Sequence, residues 1–385
     1  MKAIKDNAVV MEVVTLDIDI FYGRFLDQLI GVDPAASRLH YAAPKAEIVS
    51  ERKLLQVEAA ARRAKQQQLK IQAEYTDFAQ AHLHEEVSDE LFRQLHNIEH
   101  VEASLFDLGA SFYPLLDILS TKAITISKLG AYISQIDWLN EDLLRLVNQP
   151  QYRNKTASAG LIKDSKVALR LFGIETLQQL IPVYALKRLI PHSTEPFTGL
   201  KTNVWQYGLA VAIAASSLAE LEQHSTFSAF SVGLFQSLGY IVVIRCYLRT
   251  FQQQRQKKIL NARAMRDSSL IEALEQLVPD ASFLSDSLAE FAAELNADIT
   301  SRWQLSQLPL YQTLEQMAEG INFDGISPLT KIVLQAQTYV QWQYLKRAKL
   351  INNEESLHWL ASAQLTNEKM ALLAKVDLKR LSFQI

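Results

Sequence analysis

A chain of 385 residues with 49% hydrophobic side chains can bury a large core and is long enough for two or three domains, which excludes a disordered polar polypeptide. Its 39 basic and 42 acidic residues leave a formal charge of -3, so no overall field draws it to nucleic acid or an anionic membrane, and such binding would need a local patch. The single cysteine, Cys246, excludes an intrachain disulfide framework, fits a reducing cytosol, and lies in an apolar run as an inert core thiol.

Few glycines and prolines, with Ala, Leu and Gln abundant, favour helix throughout. Residues 9–16 are β-branched enough for one short strand. The first residues carry Asp6 and Glu12 and no basic-then-apolar leader, so no export signal is expected and the expected location is the cytoplasm. From Ile20 the spacing Phe21, Phe25, Leu29 predicts a helix that stops at Gly31 and Pro34. Residues 50–84 predict a long helix, capped by Ser50, with a thin apolar side of Leu54, Val57, Ala61 and Leu69. Such a helix either packs on one side of a domain or pairs with a copy of itself.

Beyond Leu105 the pattern is apolar and helical. Helices are predicted from Leu115, over 124–136, 141–148 and 165–172, and from Gly173 to about Leu189 with Pro182 bending it. Another runs over 203–221 with Trp205, Leu209, Ile213 and Leu221 near one face. It precedes the most apolar stretch, 228–249, which has the length of a short membrane span. Gln236 and Ser237 at its centre and Arg245 near its end argue instead for a buried core helix. The layout is that of an all-α, many-helix bundle with short connections, and helices over 354–363 and 367–381 should dock onto it.

In chain order, the segments Leu115-Leu-Asp-Ile-Leu, residues 124–137, Leu143-Leu-Arg-Leu-Val-Asn148, Val167-Ala-Leu-Arg-Leu-Phe-Gly-Ile-Glu-Thr-Leu, Val204-Trp-Gln-Tyr-Gly, Val232-Gly-Leu-Phe-Gln-Ser-Leu-Gly239, residues 290–309 and Ile332-Val-Leu-Gln-Ala-Gln337 resemble the HDOD family, a signalling branch of the HD phosphohydrolase superfamily. Trp138 follows Asp137 where that family usually has proline. The resemblance spans about residues 105–351, which divides the chain into an N-terminal region 1–104, an HDOD-like helical domain 105–351 and C-terminal helices 352–385. It implies that Tyr207 stands where active relatives have the first histidine ligand, Gln236 and Ser237 where they have the His-Asp pair, and Gln337 where they have the last aspartate. No histidine occurs near Met317–Glu319, where intervening ligands would fall. A water-activating divalent ion needs several deprotonated N or O donors at one point, and Tyr, Gln and Ser are neutral at pH 7. The expectation is a pseudoenzyme of that superfamily with no cofactor. The four residues then form either a mutually hydrogen-bonded plug or a pocket for a small, nucleotide-type ligand.

Other signals are weaker. His96-Asn-Ile-Glu-His100 has the His-x-x-Glu-His spacing of inverted zinc peptidases, and His82 and His84 lie near, but an exposed polar helix explains it with fewer assumptions. Asp17-Ile-Asp19 resembles a dehalogenase-type nucleophile motif but lacks its threonine and a matching lysine. Between Arg245 and Arg266 stand Arg249, Arg255, Lys257, Lys258 and Arg263 without an acid, a positive helix face able to meet an acidic partner or nucleic acid. Aromatic interleaving for base stacking is nearly absent, so nucleic acid is disfavoured. The function expected is a cytoplasmic, non-catalytic regulator of bacterial signalling that binds other signalling proteins, with self-pairing through the N-terminal helix one of its two open roles, or else a small-ligand sensor. A residual phosphohydrolase is the third reading.

Overall fold

The computed structural model describes residues 20–31, 56–105, 107–121, 124–153, 160–320 and 323–379. The strand expected over 9–16, the Asp17-Ile-Asp19 motif and the Ser50 cap lie outside the described residues. Among the described residues the structure is helix and connecting turn, with no strand. In chain order the helices are α1 (20–30), α2 (Gln56–Leu95), α3 (Ile98–Leu105), α4 (Phe112–Ile118), α5 (Ile126–Ile133), α6 (Asp137–Val147), α7 (Pro150–Arg153), α8 (Ser165–Leu189) and α9 (Leu200–Leu221). They continue as α10 (Thr226–Phe235), α11 (Leu238–Met265), α12 (Ser268–Gln276), α13 (Ala281–Arg302), α14 (Leu310–Ala318), α15 (Pro328–Arg347), α16 (Asn353–Ser362) and α17 (Asn367–Leu373).

The centre is α9 against α10 and α15, with α11 laid on α13 and α13 on α14. By length and apolarity α9 and the run Thr226–Met265 could each cross a membrane, yet the most apolar window of that run is 100% buried inside the bundle. The expected core helix is therefore present, but in two pieces. It breaks at Gln236 and Ser237, and Asn296 of α13 bridges the break. The Asn296 side chain donates to the Gln236 carbonyl at 2.7 Å and accepts the Gly239 N–H at 2.7 Å. A Cβ on Gly239 would lie 1.9 Å from the Ala292 carbonyl oxygen, so only glycine lets α11 approach α13 this closely.

On α9 the deepest face is made of small side chains (Gly208, Ala212, Ala215 and Ala219 beside Tyr207 and Val211), while Trp205 and Ile213 are only half-buried and Leu221 is exposed. This corrects the expected face of Trp205, Leu209, Ile213 and Leu221, of which only Leu209 is buried; Val204 and Leu218 are buried beside the small residues that let the helices approach closely. In α8 the break falls at Gly173, whose φ of 75° and ψ of 167° are non-helical, so two helices meet there as the sequence suggests. At the chain's far end α16 and α17 are present, α17 ending at Leu373 rather than running on to 381.

The long N-terminal helix extends to Leu95, beyond the expected end at His84. Its C-terminal half carries Ala79, Leu83, Val87, Leu91 and Leu95 at intervals of four, all buried against α11 and α12. Tyr75 donates to Asp267 at 2.9 Å and Lys258 pairs with Glu86 at 2.9 Å, fixing its rotation.

Helix α1 is built into the bundle. Phe25 and Leu29 are fully buried, and Phe21 packs edge-on to Trp359 of α16 at 5.4 Å. Arg24 donates to the Leu350 carbonyl at 3.1 Å and to Glu355 at 3.0 Å, and Asn203 of α9 caps the Leu29 carbonyl at 3.0 Å. The apolar stripe Phe21, Phe25, Leu29 thus does what its spacing predicts, on a helix that belongs to the centre and not to an outlying region.

Candidate functional site

Four helices bring the expected ligand positions together. Tyr207 points inward from α9, Gln236 and Ser237 form the α10–α11 junction, and Gln337 sits on α15. Tyr207 and Ser237 are fully buried, Gln236 is 3% exposed, and Gln337 is half-buried. Gln341, one turn beyond Gln337, donates its Nε2 to the Tyr207 hydroxyl at 3.2 Å. Gln337 and Gln236 face the same oxygen, although Gln236 Nε2 completes no hydrogen bond of ordinary geometry among the described residues. Ser237 turns away and donates back to the Leu234 carbonyl at 2.7 Å.

The rest of the space is filled by tyrosines and by α1. Phe25 stacks obliquely on Tyr207 with ring centres 4.8 Å apart, and Tyr240 and Tyr344 stand at 5.9 and 6.2 Å from it. Tyr22 of α1 shares a hydrogen bond with Tyr240 at 2.7 Å, and Tyr240 also reaches the Tyr207 hydroxyl. Burial pushes the Tyr22 phenol up to about 12, and it also holds Tyr207 and Tyr240 well above the usual phenol value.

The donor set decides whether the superfamily's divalent ion fits here. Its members are phenols, amides and one hydroxyl, with no imidazole or carboxylate, and Tyr207 cannot ionise near neutral pH because desolvation opposes the phenolate. Hard cations need anionic or strongly dipolar oxygen donors free to converge. The residues present do not fit the ion, and three helices' worth of aromatic side chains occupy the volume around them. Among the described residues no group of three His, Cys, Asp or Glu comes together anywhere else.

The remaining candidates are scattered. His96 lies in the turn after α2, its Nδ1 at 2.8 Å from the Phe92 carbonyl and its ring 4.0 Å from that of Phe92, while His100 belongs to α3, which Asn97 caps. The expected single helix carrying both is interrupted because Asn97 takes a cap position. His82 pairs with Glu85 at 3.8 Å and His84 packs on Phe283 at 4.5 Å. Cys246 is buried and its thiol is pushed up to about 11 by that burial, the inert state expected of it.

The basic run is divided rather than held as one face. Arg245 donates to the Leu189 carbonyl at 3.0 Å, Arg255 to the Leu277 carbonyl at 2.8 Å, Lys258 to Glu86, and Arg263 approaches Glu275 at 3.7 Å. Arg266 ends α11 in the left-handed conformation, φ 59°. Arg249 and Lys257 are left on an outer groove of α11 with Gln253, Gln256 and Leu260.

Of the site's members, Gln341 was within reach of the sequence as the next residue on the Gln337 face, and Asn296 as an amide inside an alanine-rich helix. Tyr22 carried no signal, because nothing in the pattern tied residues 20–30 to the centre.

The HDOD domain profile matches residues 108–316. Two crystal structures of Shewanella amazonensis SB2B proteins share a distant likeness. One, named as a metal-dependent phosphohydrolase, is 14% identical with a TM-score of 0.40, covering 76% of this chain and 99% of its own. The other, named as a phosphohydrolase, is 21% identical with a TM-score of 0.41, covering 75% of this chain and 90% of its own. No curated protein matches the sequence.

Proposed function

The chain belongs to the HDOD family, and from that premise we propose that it is a non-catalytic, cytoplasmic regulator in bacterial signal transduction that works by binding other proteins. The observation that carries the reading is the filled centre: Tyr207, Gln236 and Ser237 are buried among tyrosines, and Phe25 of α1 lies on Tyr207. A neutral, water-excluding plug offers neither ligands for a divalent ion nor a place for the attacking water. What such a centre can do is hold the outer helices in fixed relation. The outer groove of α11 supports an interaction role, since Leu260 is 54% exposed in the same groove as Arg249 and Lys257.

Purified full-length protein should contain no divalent metal at stoichiometric level by elemental analysis. It should hydrolyse no phosphodiester or phosphomonoester above the buffer rate with Mn2+, Mg2+ or Fe2+ added. One bound ion per chain together with hydrolysis abolished by a chelator would overturn the reading. For the interaction arm, a partner retained by the wild-type chain should be released by Leu260→Arg with Lys257→Glu.

A further inference from the structure

A second cavity lies on the opposite side of α9 from the plug, and it is charged where the plug is neutral. It has a volume of about 760 Å³ and is walled by the ends of α6 and α8, the start of α9 and Arg245 from the first third of α11. That size falls within the roughly 300–1,000 Å³ of ordinary small-ligand sites. Five Lys and Arg side chains line it, Arg145, Lys187, Arg188, Lys201 and Arg245, against two carboxylates. The carboxylates are engaged with two of the five: Asp142 with Arg145 at 3.0 Å and Asp107 with Arg188 at 3.4 Å. Lys201 is anchored through one donor to the His192 carbonyl at 3.1 Å and Arg245 to the Leu189 carbonyl at 3.0 Å. A lysine has three donors, so the anchor on Lys201 orients its head group and leaves N–H groups over.

Two further features border the same cavity. The first turns of α9 contribute Lys201, Thr202 and Trp205 to the wall, so the positive end of the helix dipole lies near the cavity. Trp205 is half-buried in the wall, which explains why it is not part of the core face the sequence suggested. An aromatic wall beside an excess of cations suits a ligand that carries both phosphate and a planar ring.

We propose that this cavity binds a nucleotide, with its phosphates on Lys187 and Lys201 and its base against Trp205. The inference is independent of whether the plugged centre is catalytic.

Isothermal titration of the full-length chain with ATP, GTP, ADP, GMP and AMP, with inorganic pyrophosphate, and with adenosine and guanosine tests it. The expected result is 1:1 binding of at least one nucleotide, weaker by about tenfold or more as salt rises from low to physiological strength. Pyrophosphate and the nucleosides should each bind at least about tenfold more weakly, since each lacks half of the recognition. Lys187→Ala with Lys201→Glu should reduce nucleotide affinity about tenfold or more, both residues being exposed and the glutamate falling in the first turn of α9, where an acid is tolerated. Lys257→Glu, on the outer groove of α11, should leave binding unchanged. The proposal is overturned if no nucleotide binds the wild-type chain, if the double variant binds as tightly, or if pyrophosphate matches the nucleotide.

Discussion

Asp117 leaves α4 to hold the connection into α14. Its Oδ1 accepts the N–H groups of Gln307 at 2.7 Å and Leu308 at 3.0 Å, and its Oδ2 accepts the Ser306 hydroxyl at 2.8 Å. Partial burial on its own would raise this carboxyl, but the donated hydrogen bonds outweigh it and hold the group below the usual carboxylate range. A carboxyl depressed in the folded state contributes stability that is present above its unfolded value, about 3.9, and is lost as pH falls through the lower folded value. Asp117→Asn should therefore destabilise the chain at pH 6, and the gap from wild type should narrow as pH is lowered through the acid range. Urea melts at stepped pH check this, and a gap that stays constant with pH would refute it. Asp117 was visible in the sequence only as one letter of a family segment, because its partners lie about 190 residues away and local pattern carries no trace of them. The four positions Tyr207, Gln236, Ser237 and Gln337 were legible because each occupies a fixed place in an ordered set of segments. Their aromatic surroundings were not, since Tyr22 and Phe25 reach them from α1.

At the scale of elements, period and composition located most helices up to α11 and the last two, while α12 and α14 went unplaced and α13 and α15 were reached only through the family segments; errors of position gathered where helices touch. The apolar period runs without interruption across Gln236 and Ser237, neither of which is glycine or proline, so the break between α10 and α11 has no local signature. It is specified by Asn296, which supplies partners to one carbonyl and one N–H that the break exposes. The contact beside it depends on Gly239. Because the obstacle to a methyl group there is the backbone of Ala292, no rotamer change can relieve it, and α11 must move off α13 with the loss of the Asn296 bridge. Gly239→Ala should cost roughly 3 kcal/mol or more, at the upper end for overpacking. Gly23→Ala is the control: nothing lies within 4 Å of its added Cβ, and α1 should gain about 0.5–1 kcal/mol from the better helix former. Denaturant midpoints of the two variants should move in opposite directions, and equal shifts would show that the α11–α13 approach is not specified by this glycine.

For the whole molecule, the division read from sequence, 1–104, 105–351 and 352–385, meets a structure whose centre draws on all three. Helix α1 supplies Phe25 and Tyr22 to the plug, the second half of α2 covers α11 with Leu83, Val87 and Leu91, and α16 returns Trp359 onto Phe21 and Glu355 onto Arg24. The family profile ends at 316, before α15, which carries Gln337, Gln341 and Tyr344 of the same plug. Cutting the chain at 105 and 351 would therefore expose Tyr207 and the buried face of α11 to water and remove two large aromatic side chains from the densest part of the core. Each buried aromatic removed in this way costs about 3–5 kcal/mol, and a domain of this size holds only about 5–15 kcal/mol in total. The 105–351 fragment should retain helical circular dichroism but bind a hydrophobic dye and melt without a sharp transition, whereas the full chain should unfold in one cooperative step by calorimetry. A fragment that melts as sharply as the full chain would establish that α1, α2 and α16 decorate an independent bundle. Two separate transitions in the full chain would break the single-core account in the same way, because Phe25, Tyr207 and Trp359 would then belong to units that unfold apart.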